Sequence, residues 1–238
     1  VCRDWTEDEL IANGCIVDCR LAVNDKFHAS GDPHHHTFDH FNFDFMVQCR
    51  YRLVAVDYES YDLDFNRVPF QVDVAMRRAW NERPDTMTED VWFDFYLESD
   101  TIDNTTAPTH SIEIHVVDRP QGSGLPSQVS CEIIDASGNV TSIGDRETWN
   151  HGGVEFSNFG SFAKVKTWFG LELIYNTQVW YVEVNVPNCL KEKTYGLCGN
   201  FNGECSDEYS FVYGTNITDN VDIDTWGNSH LTANYSVD

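Results

Sequence analysis

The stretch Tyr195-Gly-Leu-Cys-Gly-Asn-Phe-Asn-Gly-Glu-Cys-Ser-Asp-Glu208 concentrates oxygen-bearing side chains in a glycine-rich segment. Four of them fall within nine residues, and they are Asn200, Asn202, Asp207 and Glu208. Amide and carboxylate oxygens at this spacing suit a hard cation such as Ca²⁺, which takes about six to eight oxygen ligands. An EF-hand is excluded, because no Glu lies twelve residues beyond the first candidate ligand. From this stretch alone, a metal-free polar hairpin explains the residues as well as a cation loop does.

Further motifs accompany this stretch in a fixed order along the chain. Gly31-Asp-Pro-His34 and Thr37-Phe-Asp39 come first, Cys49 follows ten residues after Asp39, and Trp226-Gly-Asn-Ser229 comes last. Together with Gly-Leu-Cys-Gly-Asn-Phe-Asn-Gly, this ordered set resembles the von Willebrand factor type D domain, over roughly Leu21 to Ser229. The chain divides accordingly into a cysteine-bearing lead-in (1–20), a type D domain (21–229) and a tail (230–238).

The composition limits the class of protein. The 238 residues can bury a large core in a single domain. Acidic residues outnumber basic ones by 39 to 15, giving a net charge of −24, which argues against nucleic acid as a partner and favours cations and basic surfaces. No apolar run is long enough to form a transmembrane segment. No signal peptide is recognisable, so we expect Val1 to be a processed or excised start.

The pattern of apolar residues predicts an all-β fold. Period-two alternation runs over Phe41–Leu53 and recurs over Phe70–Met76, Val91–Leu97 and Ile112–Val116. Glycine, serine and proline are frequent over 118–160, which predicts turns joining short strands. Such a pattern predicts two packed antiparallel sheets, a β-sandwich, and the resemblance implies the same architecture.

Two local elements complete this prediction. Leu171–Tyr175 and Val179–Val186 are predicted to form a hairpin around Asn176-Thr177, with Trp180 on the same face as the valines that follow it. Near the start of the chain, the capping-box spacing of Thr6 and Glu9 predicts a short helix over 6–13. No long segment has helical periodicity.

The resemblance implies a calcium site and its ligands. In domains of this type the aspartate of Thr-Phe-Asp and the Asn-Phe-Asn loop with its following acids hold the ion, which here designates Asp39, Asn200, Asn202, Asp207 and Glu208. Asn202 and Glu208 stand where aspartate is common. Three carboxylates still exceed the two charges of Ca²⁺, and Mg²⁺ fits less well because it prefers a tight octahedron and retains waters. We expect the ion to join segments about 160 residues apart and so to have a structural role.

The Asp32-Pro33 bond is a candidate for self-cleavage, because some relatives with Gly-Asp-Pro-His cut themselves there, although many remain intact. The Asp32 carboxyl would attack its own carbonyl to form an anhydride, with His34 as general acid. Reduced mass spectrometry after incubation at about pH 5–6 distinguishes the two outcomes.

The histidines His28, His34, His35, His36 and His40 form a second cluster in the sequence. They could bind a transition metal. On a strand, however, His34 and His36 point to one face and His35 to the other, which favours structural roles.

The cysteines predict disulfides and secretion. Their count is eight, without a zinc-type pair, at positions Cys2, Cys15, Cys19, Cys49, Cys131, Cys189, Cys198 and Cys205. The family's pattern is rearranged here, and one arrangement among the about 105 possible is Cys2–Cys15, Cys19–Cys198, Cys49–Cys205 and Cys131–Cys189. Glycosylation sequons, which also agree with secretion, start at Asn104, Asn139, Asn216 and Asn234.

Three classes of function follow from these observations. The first is a secreted, calcium-binding structural or adhesive module of a matrix, mucin-like, egg-coat or clotting-type assembly, with other extracellular proteins or copies of itself as partners. The second is an enzyme, since ostracod luciferases contain domains of this type. The third is an extracellular carrier of a metal or pigment. No catalytic motif is found, so we predict that the chain is not an enzyme.

Overall fold

The computed structural model describes residues 24–30, 34–40, 42–44, 50–56, 68–78, 86–102, 107–117 and 127–202. Within these residues the chain forms fifteen β-strands and a short 3₁₀ helix, Asn188–Leu190, and no α-helix. All neighbouring strands pair in antiparallel fashion. The predicted helix over 6–13 lies outside the described residues. In the part of the chain that is described, no helix has the length and apolar character needed to cross a membrane.

The strands form two sheets, one of eight strands and one of seven. In chain order the strands are β1 (Asn24–Ser30), β2 (His34–His36), β3 (Asn42–Asp44), β4 (Arg50–Val56), β5 (Phe70–Arg78), β6 (Thr86–Phe95), β7 (His110–Val117), β8 (Gln128–Ile134), β9 (Val140–Ile143), β10 (Thr148–His151), β11 (Val154–Asn158), β12 (Phe162–Lys166), β13 (Glu172–Asn176), β14 (Tyr181–Pro187) and β15 (Thr194–Tyr195). The larger sheet has the order β10-β11-β12-β13-β14-β1-β2-β3, and the smaller has the order β15-β4-β5-β6-β7-β8-β9.

The predicted all-β fold of two packed antiparallel sheets is confirmed. The apolar residues of β5, β6 and β7 that alternate in the sequence are buried, as in Val72, Phe93 and Ile112, each of which is 0% exposed. The region rich in glycine and serine contains short strands and turns, from β8 to β11. Alternation therefore locates strands correctly wherever one face of the segment is dry.

Two details differ from the strand prediction. The described parts of the predicted strand Phe41–Leu53 lie in different sheets, because β3 belongs to the larger sheet and β4 to the smaller, and 45–49 lie outside the described residues. A period of two reports that a segment has one buried face, and it carries no information on which sheet the segment joins. Trp180 lies in the turn before β14 with a φ of 49°, while Val182, Val184 and Val186 form the buried face.

The two sheets enclose one core and are joined by polar contacts as well as apolar ones. The buried apolar residues of both sheets form a single cluster. The ring of Phe70 on β5 stacks on Phe169, from the turn before β13, with centroids 5.9 Å apart. The hydroxyl of Tyr175 on β13 crosses the core and donates to the carbonyl of Thr88 on β6 at 2.7 Å. This hydrogen bond satisfies a polar group that is otherwise surrounded by apolar side chains.

Tyr175→Phe should therefore destabilise the fold. The substitution keeps the ring but leaves the Thr88 carbonyl without its donor, which costs about 1–3 kcal/mol of unfolding free energy. Urea unfolding followed by tryptophan fluorescence measures the change. Tyr195→Phe is the matched control, because the Tyr195 hydroxyl accepts from Arg52, whose guanidinium also binds Asp73. An equal effect of the two variants would contradict a special role for the bond across the core.

Candidate functional site: the Asp39 junction

The glycine-rich loop is fixed to the smaller sheet through its backbone. Leu197 donates to the carbonyl of Arg52 at 3.1 Å, and Cys198 donates to that of Leu53 at 2.9 Å. Gly196 has a φ of 117°, and a Cβ at this position would lie 2.6 Å from the Leu53 carbonyl oxygen. Only glycine combines this backbone angle with so close an approach. The first glycine of the motif thus allows the loop to lie against β4.

The Thr-Phe-Asp motif forms a tight turn after β2 in the larger sheet. His40 donates its backbone N–H to the carbonyl of Thr37 at 3.1 Å, and His40 itself adopts a φ of 64°. Phe38 is 1% exposed and Asp39 is 7% exposed, so a carboxylate is held almost completely away from water. A buried carboxylate needs hydrogen-bond donors or cations around it.

The turn and the loop meet in three contacts, which together we call the Asp39 junction. The Asp39 carboxylate accepts the backbone N–H of Asn202 at 2.9 Å. Phe38 donates its backbone N–H to the carbonyl of Cys198 at 3.1 Å. The ring of Phe38 contacts that of Phe201 with centroids 5.2 Å apart. Since the turn belongs to the larger sheet and the loop is bonded to β4 of the smaller one, the junction connects the two sheets.

The structure brings together part of the predicted calcium set. Asp39 lies against the loop that carries Asn200 and Asn202. Asp207 and Glu208 lie outside the described residues. Within the described part of the chain, no three His, Cys, Asp or Glu side chains are arranged to hold a metal ion. The donors present at the junction are hard oxygens, the type that calcium prefers, so the residues fit the ion as far as they are described.

His35 and His36 point to opposite faces of the sheet, as the alternation predicts. Each of them contacts a residue of the neighbouring strand β1. His35 is buried, with its ring 5.7 Å from that of Phe27. His36 points to the other face and stacks on His28 of β1, with centroids 5.0 Å apart and an interplanar angle of 9°. His40 meets His36 edge-on at 5.4 Å. The sequence alone did not predict that His28 and His36 are neighbours.

The disulfide prediction is not met at Cys131, which is a buried free thiol on β8. The predicted Cys131–Cys189 bond is therefore absent. Desolvation raises the pKa of the Cys131 thiol to about 12, so it stays protonated and unreactive. Cys198 is fully buried, but its predicted partner Cys19 is among the cysteines outside the described residues. The other proposed pairs include such cysteines as well and stay predictions.

Most of the remaining predicted sites lie outside the described residues. Asp32 and Pro33 lie outside them, so self-cleavage stays a prediction, as does any role of His34 in it. Asn139 lies exposed in the turn between β8 and β9, where its side-chain amide donates to Asp135 at 2.8 Å. This position is accessible to a glycan. The other three sequons lie outside the described residues.

A charged network on the smaller sheet was missed by the sequence reasoning. Asp73 is 1% exposed and accepts from Arg50 at 3.2 Å and from Arg52 at 2.9 Å. The Arg50 guanidinium also lies 4.1 Å from the centroid of the Trp92 ring. The sequence does contain a signal for this network. Arg50 and Arg52 occupy outward positions of one predicted strand, and Asp73 occupies an outward position of the next.

Comparison with known proteins agrees with this architecture. The model of the von Willebrand factor type D domain matches residues 28–215, and the chain belongs to this family. Over 197 residues, 83% of this chain, it is 27% identical to human IgGFc-binding protein. Over 178 residues, 75% of this chain, it is 25% identical to chicken alpha-tectorin. Over 99 residues, 40% of this chain, it is 31% identical to mouse Mucin-6.

These relatives are much longer proteins. The matched regions make up 3% of IgGFc-binding protein, 7% of alpha-tectorin and 4% of Mucin-6. The chain thus spans only a small part of the length of each. Their names denote an Fc-binding protein, a tectorin and a mucin, in agreement with the prediction that this chain is not an enzyme.

Asp39→Ala should destabilise the protein even in excess chelator. The substitution removes the acceptor of the partly buried Asn202 N–H, at a cost of about 1–3 kcal/mol. Asp39→Asn keeps an acceptor oxygen and should cost less under the same conditions. Urea unfolding with chelator present measures both, and Glu155→Ala, at an exposed position of β11, is the control. Identical stabilities of Asp39→Ala and Glu155→Ala would show that the Asp39 junction does not support the fold.

Proposed function

We propose that this chain is a calcium-stabilised structural module of a larger secreted assembly. In this proposal its partners are other extracellular proteins or further copies of the same module. The Asp39 junction is the observation that carries the proposal, because it places a buried carboxylate where two distant segments of the chain meet.

The charge at the junction supports a cation. Asp39 is almost fully buried and accepts the backbone N–H of Asn202 from the loop. The loop that supplies this donor continues towards Asp207 and Glu208, which would add two further carboxylates. Three negative charges in one place repel each other unless a cation compensates them. Calcium does so with oxygen ligands of this kind, and Asn200 and Asn202 would add amide oxygens.

The role proposed for the ion is structural. The segments it would join are 163 residues apart, between Asp39 and Asn202. A bound ion stabilises only the folded state, because the ligands are dispersed in the unfolded chain. Calcium would therefore stabilise the contact between the two sheets. No catalytic role is proposed for it.

The proposed assembly is supported by the relatives. They include a mucin, a tectorin and an immunoglobulin-Fc-binding protein, each far longer than this chain. Secretion is supported by the eight cysteines and the four sequons, one of which is exposed in the structure at Asn139.

Calcium should raise the melting temperature, and the Asp39 carboxylate should be needed for this. With free calcium at about a hundred times its dissociation constant, the stabilisation is about 2.7 kcal/mol, or about 5–10 °C for a chain of this size. Asp39→Asn should lose most of the increase, because one ligand charge is removed. Differential scanning calorimetry with calcium, magnesium or chelator measures it.

The control for this experiment is Glu155→Gln, which removes a charge from an exposed position distant from the loop and should keep the full calcium response. Elemental analysis of the native protein provides a direct count of bound ions. Superimposable melting curves in calcium and in chelator, together with less than stoichiometric calcium in the native protein, would refute the proposal.

A further inference from the structure

The outer face of the larger sheet carries a pair of stacked histidines beside the Asp39 junction. His28 on β1 and His36 on β2 lie directly opposite each other in the strand register. Their rings are nearly parallel, with centroids 5.0 Å apart. The Nδ1 atoms of both rings are buried and have no hydrogen-bond partner among the described residues. Two imidazoles in this arrangement tolerate each other when neutral, and a positive charge on both would be repulsive.

Lys26 and Glu183 are the charged groups next to His28 on β1 and β14. On β1, Lys26 adds a further positive charge, although its side chain is 59% exposed. On β14, Glu183 lies opposite His28, but its carboxylate accepts from Tyr181 and Asn185 and lies 3.9 Å from the Lys26 ammonium.

The other strands next to the pair add one acidic residue in the register. β13 places the apolar Ile174 opposite Glu183, and β3 places the uncharged Asn42 opposite His36 and Asp44 opposite His34, at the other end of β2. The turn adds His40 against His36, and the Tyr181 ring lies 5.9 Å from that of His28. The charged groups that act on the pKa of His28 are thus His36, Lys26 and Glu183, and two of these three are basic.

Strand β2 is held to the larger sheet by few contacts. It consists of three residues and pairs with β1 through three positions, His28 with His36, Ala29 with His35 and Ser30 with His34. The residue after β2 is Thr37, which begins the turn that carries Asp39 to the loop. Loss of the β1–β2 pairing would thus act directly on the Asp39 junction.

We propose that the stacked pair of His28 and His36 is an acid-sensitive joint, which weakens the attachment of β2 and opens the Asp39 junction as the pH falls below neutrality. The inference rests on the contacts of the junction, and it deepens the proposed function by adding a regulation of the same site. It does not need the titration of His40. In an acidic compartment the Asp39 junction of the module would then be looser than it is at neutral pH.

The direction of the pH dependence follows from the state of His28. Burial is the main cause that lowers the pKa of His28 below its ordinary value of 6.5, and His36 and Lys26 lower it further. When β2 detaches, His28 regains its ordinary pKa, so the detached state binds more protons. The stabilisation by the neutral pair is complete above about pH 6.5 and is lost as the pH falls through the lowered pKa of the folded state.

Hydrogen exchange of the intact protein in excess chelator tests the inference without dependence on calcium. Peptides covering His34–His36 and the turn are compared at about pH 7.5 and about pH 5.5, which lie on either side of the ordinary histidine pKa. Rates are corrected for the intrinsic effect of pH on exchange. The open fraction of β2 should increase in the acid sample by up to about tenfold, the largest factor that one histidine with an ordinary pKa in the detached state can supply between these two pH values. Peptides of the β13–β14 hairpin should not change in parallel.

The double variant His28→Gln and His36→Gln should abolish the acid response of β2, because glutamine is polar and does not titrate. The single variant His28→Gln, which leaves one imidazole without its stacked partner, should reduce the response and serves if the double variant does not fold. His151→Gln, at an exposed position of β10, should leave the response unchanged.

Two further measurements distinguish the histidine pair from other causes of acid sensitivity. His115, whose ring nitrogens lie 3.0 and 3.2 Å from Asp90 and Glu113, has a pKa raised first by its hydrogen bond to Asp90. Its contribution to stability is present at acid pH and lost as the pH rises, so His115→Gln should increase the acid sensitivity of the fold as a whole. An unchanged β2 in acid, or an equal response in wild type and double variant, would overturn the inference. Failure of calcium to stabilise the protein would refute the proposed function and leave these results untouched.

Discussion

The bond between the Asp39 carboxylate and the Asn202 N–H ties the turn of the larger sheet to the loop that lies against the smaller one. The oxygen is buried, so the bond is made where water competes poorly and where loss of the partner is costly. Phe38 and Phe201 exclude water beside it, and each is the central residue of its own motif. The two motifs are therefore halves of one interface, each of which supplies an aromatic ring and a backbone hydrogen-bonding group.

The motifs of the sequence pointed to this interface, whereas composition and periodicity did not. Alternation over β5, β6 and β7 was sufficient to place strands, because each has one dry face. The change of sheet between β3 and β4 left no trace in the alternation, since the pattern depends on burial and not on the neighbouring strand. The position of Asp39 against the loop came from the resemblance to a family, because no local rule relates residues 163 positions apart.

Contacts between neighbouring strands were the features that sequence reasoning could not supply. His28 and His36 are opposite each other only because of the register between β1 and β2. Asp73 meets Arg52 for the same reason, through the pairing of β4 with β5. A shift of one residue would turn each of these side chains to the other face of its sheet. The cysteine framework failed at Cys131 for a related reason, since an even count of cysteines predicts pairing but does not determine which thiols face the core.

The position of β1 between β14 and β2 has a consequence for the biosynthesis of the protein. Asn24 pairs with Pro187, so the interior of the larger sheet joins an early segment of the polypeptide to a late one. A ribosome that has synthesised the first half has not yet made the neighbour that β1 requires. The hairpins from β5 to β9 can form during translation, whereas the larger sheet must wait until the late strands emerge. Such non-local pairing makes folding slow and leaves the two apolar side chains of β1, Phe27 and Ala29, without their place in the core until the late strands are made.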